Sequence, residues 1–126
     1  MFKGCTLILI TAESFSYLAI DPELTPTLYK LQTEGFNFTN FYTPYWDVST
    51  SDGEYAAYGR VLPVPPLLVT PENAMPLTMA QQLKRLGYSA YAYHDHTYTY
   101  YDRNLSHPNL GYVYRALGNG LDVEAT

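Results

Sequence analysis

The sequence predicts an α/β fold: a mostly parallel sheet flanked by helices. Three observations carry that expectation. A compact apolar run, Leu7-Ile8-Leu9-Ile10, opens the chain; two segments have helical spacing and end on glycine; and an aromatic-rich, strand-like run follows each of them. Strand, helix, strand, loop, helix, strand is the order of an α/β domain with a parallel sheet.

The elements follow in chain order. "CTLILITAES" has the Leu/Ile-rich pattern of a strand buried on both faces. "LTPTLYKLQTEG" predicts a helix, with Thr25 at the N-cap, Pro26 at the first helical position, Leu28 and Leu31 on one face, and Gly35 as the stop. "FNFTNFY" alternates aromatic and polar residues as a second strand does. A short helix is expected over 52–59. The five prolines of "RVLPVPPLLVTPENAMP" then impose an extended connection. "LTMAQQLKRLG" returns to helix, with Met79, Leu83 and Leu86 on one stripe and Gly87 as the stop, and "YSAYAYH" reads as a third strand. From Asp95 onward the chain is polar, aromatic and rich in turns, without clear periodicity.

With 126 residues the chain reads as one domain, 1–126, long enough for a core. The formal net charge of -5 and the absence of any Lys/Arg run argue against nucleic acid as the partner. Fourteen tyrosines suit an aromatic-lined cleft, although tyrosine also packs in plain cores. The single Cys5 cannot make an internal disulfide. The longest apolar run is too short to span a bilayer, and no signal-peptide pattern precedes it, so the chain reads as soluble. There is no GxGxxG after a strand and no Walker glycine run to support nucleotide binding.

In open parallel sheets, ligands gather beyond the carboxyl ends of the strands. Three polar features fall there: Glu13 after the first strand, the hydroxyl cluster Ser49-Thr50-Ser51 after the second, and His94 at the end of the third. Glu13 is either a capping or solvated acid or a ligand for a hard divalent cation. Thr50 is either an N-cap or a nucleophile activated by a metal at a helix entrance, with Asp52 and Glu54 as first-turn acids in either case. His94 and His96 share a strand face, a spacing that zinc uses, with His107 a loose candidate for a third ligand. Arg103 suits a phosphate or carboxylate, or else a surface salt bridge to Asp102 or a neighbour. Tyr98, Tyr100 and Tyr101 either wall a groove for a sugar or glycerol unit or pack the tail onto the sheet.

The segments "ILITAESF", "LTPTLYKLQTEGFNFTNFY", "STSDGEYAA", "LKRLGYSAYAYH" and "YYDRN…HPNLGY" resemble, in this order, the sulfatase-like domain of lipoteichoic acid synthases. These are phosphoglycerol transferases of the alkaline phosphatase superfamily, and the resemblance runs over roughly residues 6–122. It implies a partial alkaline phosphatase/sulfatase-like fold and a Mn2+ or Mg2+ ion held by Glu13 and Thr50. It also implies attack by Thr50 on the phosphodiester of phosphatidylglycerol, which passes glycerophosphate to a polymer or glycolipid acceptor. His94, Tyr101 and Arg103 match the family's substrate-binding residues; where this sequence has Tyr101 the family commonly has tryptophan.

The family completes its metal site with an Asp-His pair, and adds a further substrate histidine, later in the chain than Thr126. The expectation is therefore an N-terminal piece of the catalytic domain, inactive alone and prone to dimerise or swap strands, from a parent acting on the extracytoplasmic face of the membrane. A noncatalytic glycerophosphate- or glycan-binding module is the competing expectation. The CxPxR-like context that sulfate-ester hydrolases use is absent around Thr50, and one cysteine fits the disulfide-rich phosphoethanolamine transferases poorly.

Overall fold

The computed structural model describes residues 4–12, 14–42, 53–54, 57 and 71–121. The chain divides into two compact units, residues 1–44 and 45–126.

In the first unit, a single 3₁₀ turn (Tyr17–Ala19) precedes helix α1 (Pro26–Glu34). Pro26 takes the first helical position and Gly35 closes the helix, its N–H donating to the Leu31 carbonyl at 3.0 Å. A side chain at Gly35 would meet that same carbonyl at 2.6 Å, which explains the glycine stop. Thr25 stands at the N-cap, but its hydroxyl does not cap α1. It turns back instead, donating to the Ala19 carbonyl at 2.7 Å and accepting from the Asp21 N–H at 2.8 Å. Asp21 in turn accepts from the N–H groups of Glu23 and Leu24, which hold its carboxyl below the usual range.

Neither strand expected in this unit forms among the described residues. Residues 5–12 and 36–42 carry no ladder, and a strand without a hydrogen-bonded neighbour has nothing to satisfy its backbone. Ile8 and Ile10 are 77% exposed, with Leu7 at 61% and Leu9 at 50%, so neither face of that run is covered. Phe15, Ile20, Leu28, Leu31, Phe36 and Phe41 line part of an open groove of about 640 Å³.

The second unit holds helix α2 (Met79–Arg85), strand β1 (Tyr91–Thr97), helix α3 (Arg103–Leu110), strand β2 (Val113–Leu117) and the two-residue strand β3 (Gly120–Leu121). The sheet order is β1-β2-β3 and both pairings are parallel, as the α/β reading requires. Tyr91 aligns with Val113 and His94 with Ala116. The register then breaks between His94 and Thr97, and β1 bulges just past His94.

Three expectations change here. The third strand starts and ends three residues later than the run 88–94, so His94 lies in mid-strand. The stripe assigned to α2 holds only in part: Met79 and Leu83 are half-buried, Leu86 at the C-cap is 76% exposed, and the buried residue of the helix is Ala80. The apparently aperiodic tail contains α3 and β2. On α3 the buried positions are Arg103, Ser106, His107 and Leu110, a helical i, i+3, i+4, i+7 stripe built mainly from polar residues. On β2, Tyr114 and Ala116 are buried while Val113 and Arg115 are exposed, which is the strand period of two.

Gly111 ends α3 in the left-handed region at φ +103, and the N–H of Tyr112 returns to the His107 carbonyl. Thr78 caps α2, accepting from the Gln81 N–H at 3.3 Å. The described core of this unit is therefore small and mixed: Ala80, Leu110, Tyr114 and Ala116 with Thr78, Arg103, Ser106 and His107.

Candidate functional site

The site forms where β1 turns into α3. The rings of His94 and His96 both stack on Tyr100, at centroid distances of 6.4 and 4.0 Å, so the two lie on one side of β1. After β1 the chain makes a 3₁₀ turn (Tyr100–Asp102) whose last two residues depart from helical geometry. Tyr101 (φ 54) and Asp102 (φ 53) are both left-handed. For residues with a Cβ this conformation costs about 1 kcal/mol or more each, and such strain concentrates at functional sites.

The turn delivers the rings of Tyr100 and Tyr101 to the guanidinium of Arg103, at 5.5 and 5.3 Å from their centroids. The two rings are themselves 4.4 Å apart. His94, Tyr101 and Arg103 thus gather round Tyr100, a residue read from the sequence as either a groove wall or packing for the tail.

Arg103 is 1% exposed, and its partner is Glu54 rather than Asp102. Nε donates to Glu54 Oε1 and Oε2 at 3.0 and 3.1 Å, and Nη2 donates to Oε1 at 2.6 Å. Nη1 makes a longer bond, 3.4 Å, to the Tyr100 carbonyl. This is a fork-to-carboxylate pairing in a mostly buried setting. Gly53, Glu54 and Ala57 are helical, in agreement with the helix expected over 52–59. Glu54 also makes a pairing across 49 positions, which no local sequence signal announces.

The electrostatics follow from this pair. Burial works against the charge of Arg103, but the hydrogen bonds and charge of Glu54 outweigh it and raise the arginine's pKa. Burial, then the positive charge of Arg103, lowers the pKa of His94, so its imidazole is neutral at pH 7 and can both donate and accept a hydrogen bond. His107, buried on α3 with Ser106 Oγ at 3.2 Å from its Nδ1, is pushed down to about 4, chiefly by burial and then by Arg103. Behind the site, Tyr114 stacks on Tyr98 at 5.4 Å and meets the His107 ring at 4.6 Å.

Glu13 and Thr50 lie outside the described residues, as do Ser49, Ser51 and Asp52. Among the described residues, no three His, Cys, Asp or Glu side chains converge as a metal group would. His94 and His96 instead stack on an aromatic ring, and His107 is part of the core.

Compared with known protein families, the chain matches the profile of the family described as Sulfatase over residues 6–124. No curated protein and no solved structure matches it.

Proposed function

The chain belongs to the sulfatase family, and on that premise we propose that it carries the nucleophile and the glycerophosphate contacts of a phosphoglycerol transferase. The observation that supports this most is the Glu54–Arg103 pair. It joins the segment that follows Thr50 to the turn bearing Tyr101, so two separate segments of the resemblance meet at one place. In this reading Thr50 Oγ attacks the phosphorus of a phosphatidylglycerol-type diester. The bond to the diacylglycerol oxygen breaks, that oxygen takes a proton, and glycerophosphate stays on Thr50 until an acceptor hydroxyl removes it. Neutral His94 hydrogen-bonds a glycerol hydroxyl or phosphate oxygen and Tyr101 packs on the glycerol, while Arg103, buried and paired with Glu54, lends positive charge from behind them rather than a direct contact.

Sulfatase-family members are typically metal-dependent. The carboxylate of Glu13 and the hydroxyl of Thr50 are hard oxygen donors of the kind Mn2+ or Mg2+ prefers, and that ion would favour the threonine alkoxide. The lipid head group, a glycerophosphate polymer as acceptor and an extracytoplasmic location belong to the same proposal. No helix among the described residues is long and apolar enough to cross a membrane. A second reading, a noncatalytic glycerophosphate or glycan binder, has support from the burial of Arg103 behind exposed Tyr100 and Tyr101, since such a wall can hold a ligand without turnover.

Calorimetry with glycerol phosphate and methyl sulfate tests the substrate class. Saturable binding of glycerol phosphate, weakened by His94→Ala and Tyr101→Ala, with methyl sulfate at least about tenfold weaker, is the expected result. Equal binding of both anions, or of neither, contradicts the phosphoglycerol reading.

A further inference from the structure

We infer that the bulge of β1 fixes His94 as the Nε2–H tautomer, so that the ring meets its ligand as a hydrogen-bond donor to a phosphate oxygen. The inference rests on the glycerophosphate reading and narrows it. Of the glycerol hydroxyl and the phosphate oxygen, it assigns His94 the phosphate, with the backbone N–H of His96 as the group that decides.

The register of β1 on β2 breaks between His94 and Thr97. Within that break the His96 N–H turns back and donates to His94 Nδ1 at 3.1 Å. Thr97 does the same for the next ring, its N–H donating to His96 Nδ1 at 2.8 Å. A backbone N–H can only donate, so Nδ1 of His94 must offer its lone pair. The one proton of the neutral ring then sits on Nε2, at the opposite edge. Asp95 Oδ1 lies 4.0 Å from the same Nδ1, beyond hydrogen-bond range, and does not draw the proton back. Flipping the ring would set a C–H against the His96 N–H and lose that bond, so orientation and tautomer are held together.

Nε2 is open to a ligand. It makes no hydrogen bond to a described residue and is not enclosed, and the His94 side chain is 29% exposed. A donor suits an oxygen that only accepts, as the non-bridging oxygens of a phosphodiester do. A glycerol hydroxyl pairs with either tautomer and gains nothing from this one. Nor can Nε2–H take a proton from an acceptor hydroxyl, so His94 binds substrate and is not the general base.

Two measurements on the whole chain test this. Long-range ¹H–¹⁵N correlation at about pH 7.5, where the ring is neutral, shows which ring nitrogen carries the proton. The expected result is a single tautomer protonated on Nε2, the nitrogen that couples strongly to both ring C–H groups. A proton on Nδ1, or the averaged signals of an untethered imidazole, overturns the inference. The second is calorimetry with glycerol phosphate on wild type, His94→Gln and His94→Asn, each confirmed folded by thermal melting. The glutamine amide can place an N–H near the Nε2 position, whereas the shorter asparagine reaches only the Nδ1 position. Gln within about threefold of wild type, with Asn at least about tenfold weaker, supports the donor role. Equal affinity of the two variants, or Asn the tighter, overturns that role while the glycerophosphate reading stands. Absence of binding in the wild type overturns both.

Discussion

Thr78 Oγ1 donates to the backbone carbonyl of Leu110 while accepting from the Gln81 N–H, so the cap of α2 is also its tie to the last turn of α3. The hydroxyl is buried, and both its partners are backbone groups. Thr78→Ala is expected to destabilise the chain by about 2 kcal/mol, the combined cost of a lost cap and an unsatisfied carbonyl. Thr78→Ser should retain most of that stability. Urea unfolding of the two variants checks this, and equal stability of alanine and wild type would contradict it.

Gly111 faces α2 across the same junction. Its φ of +103 disfavours any Cβ, and a Cβ there would meet Gln81 Cδ at 2.8 Å and the Gln81 backbone nitrogen at 3.1 Å. Gly111→Ala is expected to cost about 2 kcal/mol or more from left-handed strain and overpacking together. Gln81→Ala in the same chain should recover only part of the loss, because the φ and the backbone contact remain. Full recovery would place the whole effect on the glutamine side chain.

His107 gives stability a pH dependence of defined sign. Its folded pKa of about 4 lies below the ordinary value of 6.5, so between those values the unfolded chain binds a proton that the folded chain refuses. Its contribution is fully present above pH 6.5 and is lost as pH falls toward 4, a loss of order 3 kcal/mol at most. Urea midpoints measured across this window should fall with pH, and His107→Gln should flatten the slope. An unchanged slope in that variant would assign the effect to other groups.

Local punctuation was the legible part of this chain. Pro26 and Gly35 bound α1, and Gly87 follows α2, because helix termini depend on residues within one turn. The stripe of α3 was hidden because Arg103, Ser106 and His107 are buried through partners rather than through apolarity. The run Leu7–Ile10 reads as a strand, but strand formation is a property of pairs, and no partner for it lies among the described residues. Of the candidate site, His94, Tyr101 and Arg103 were legible through the resemblance, and the structure gathers them round Tyr100. Glu54 was not, because a pairing across 49 positions leaves no trace in either neighbourhood.

The central claim is that this chain keeps the nucleophile and metal ligand of a phosphoglycerol transferase at Thr50 and Glu13. Calorimetry with Mn2+ on wild type, Glu13→Ala and Thr50→Ala tests it most directly. The account predicts saturable binding by the wild type that is lost in both variants. Absence of binding in the wild type, or binding that survives both substitutions, would contradict it.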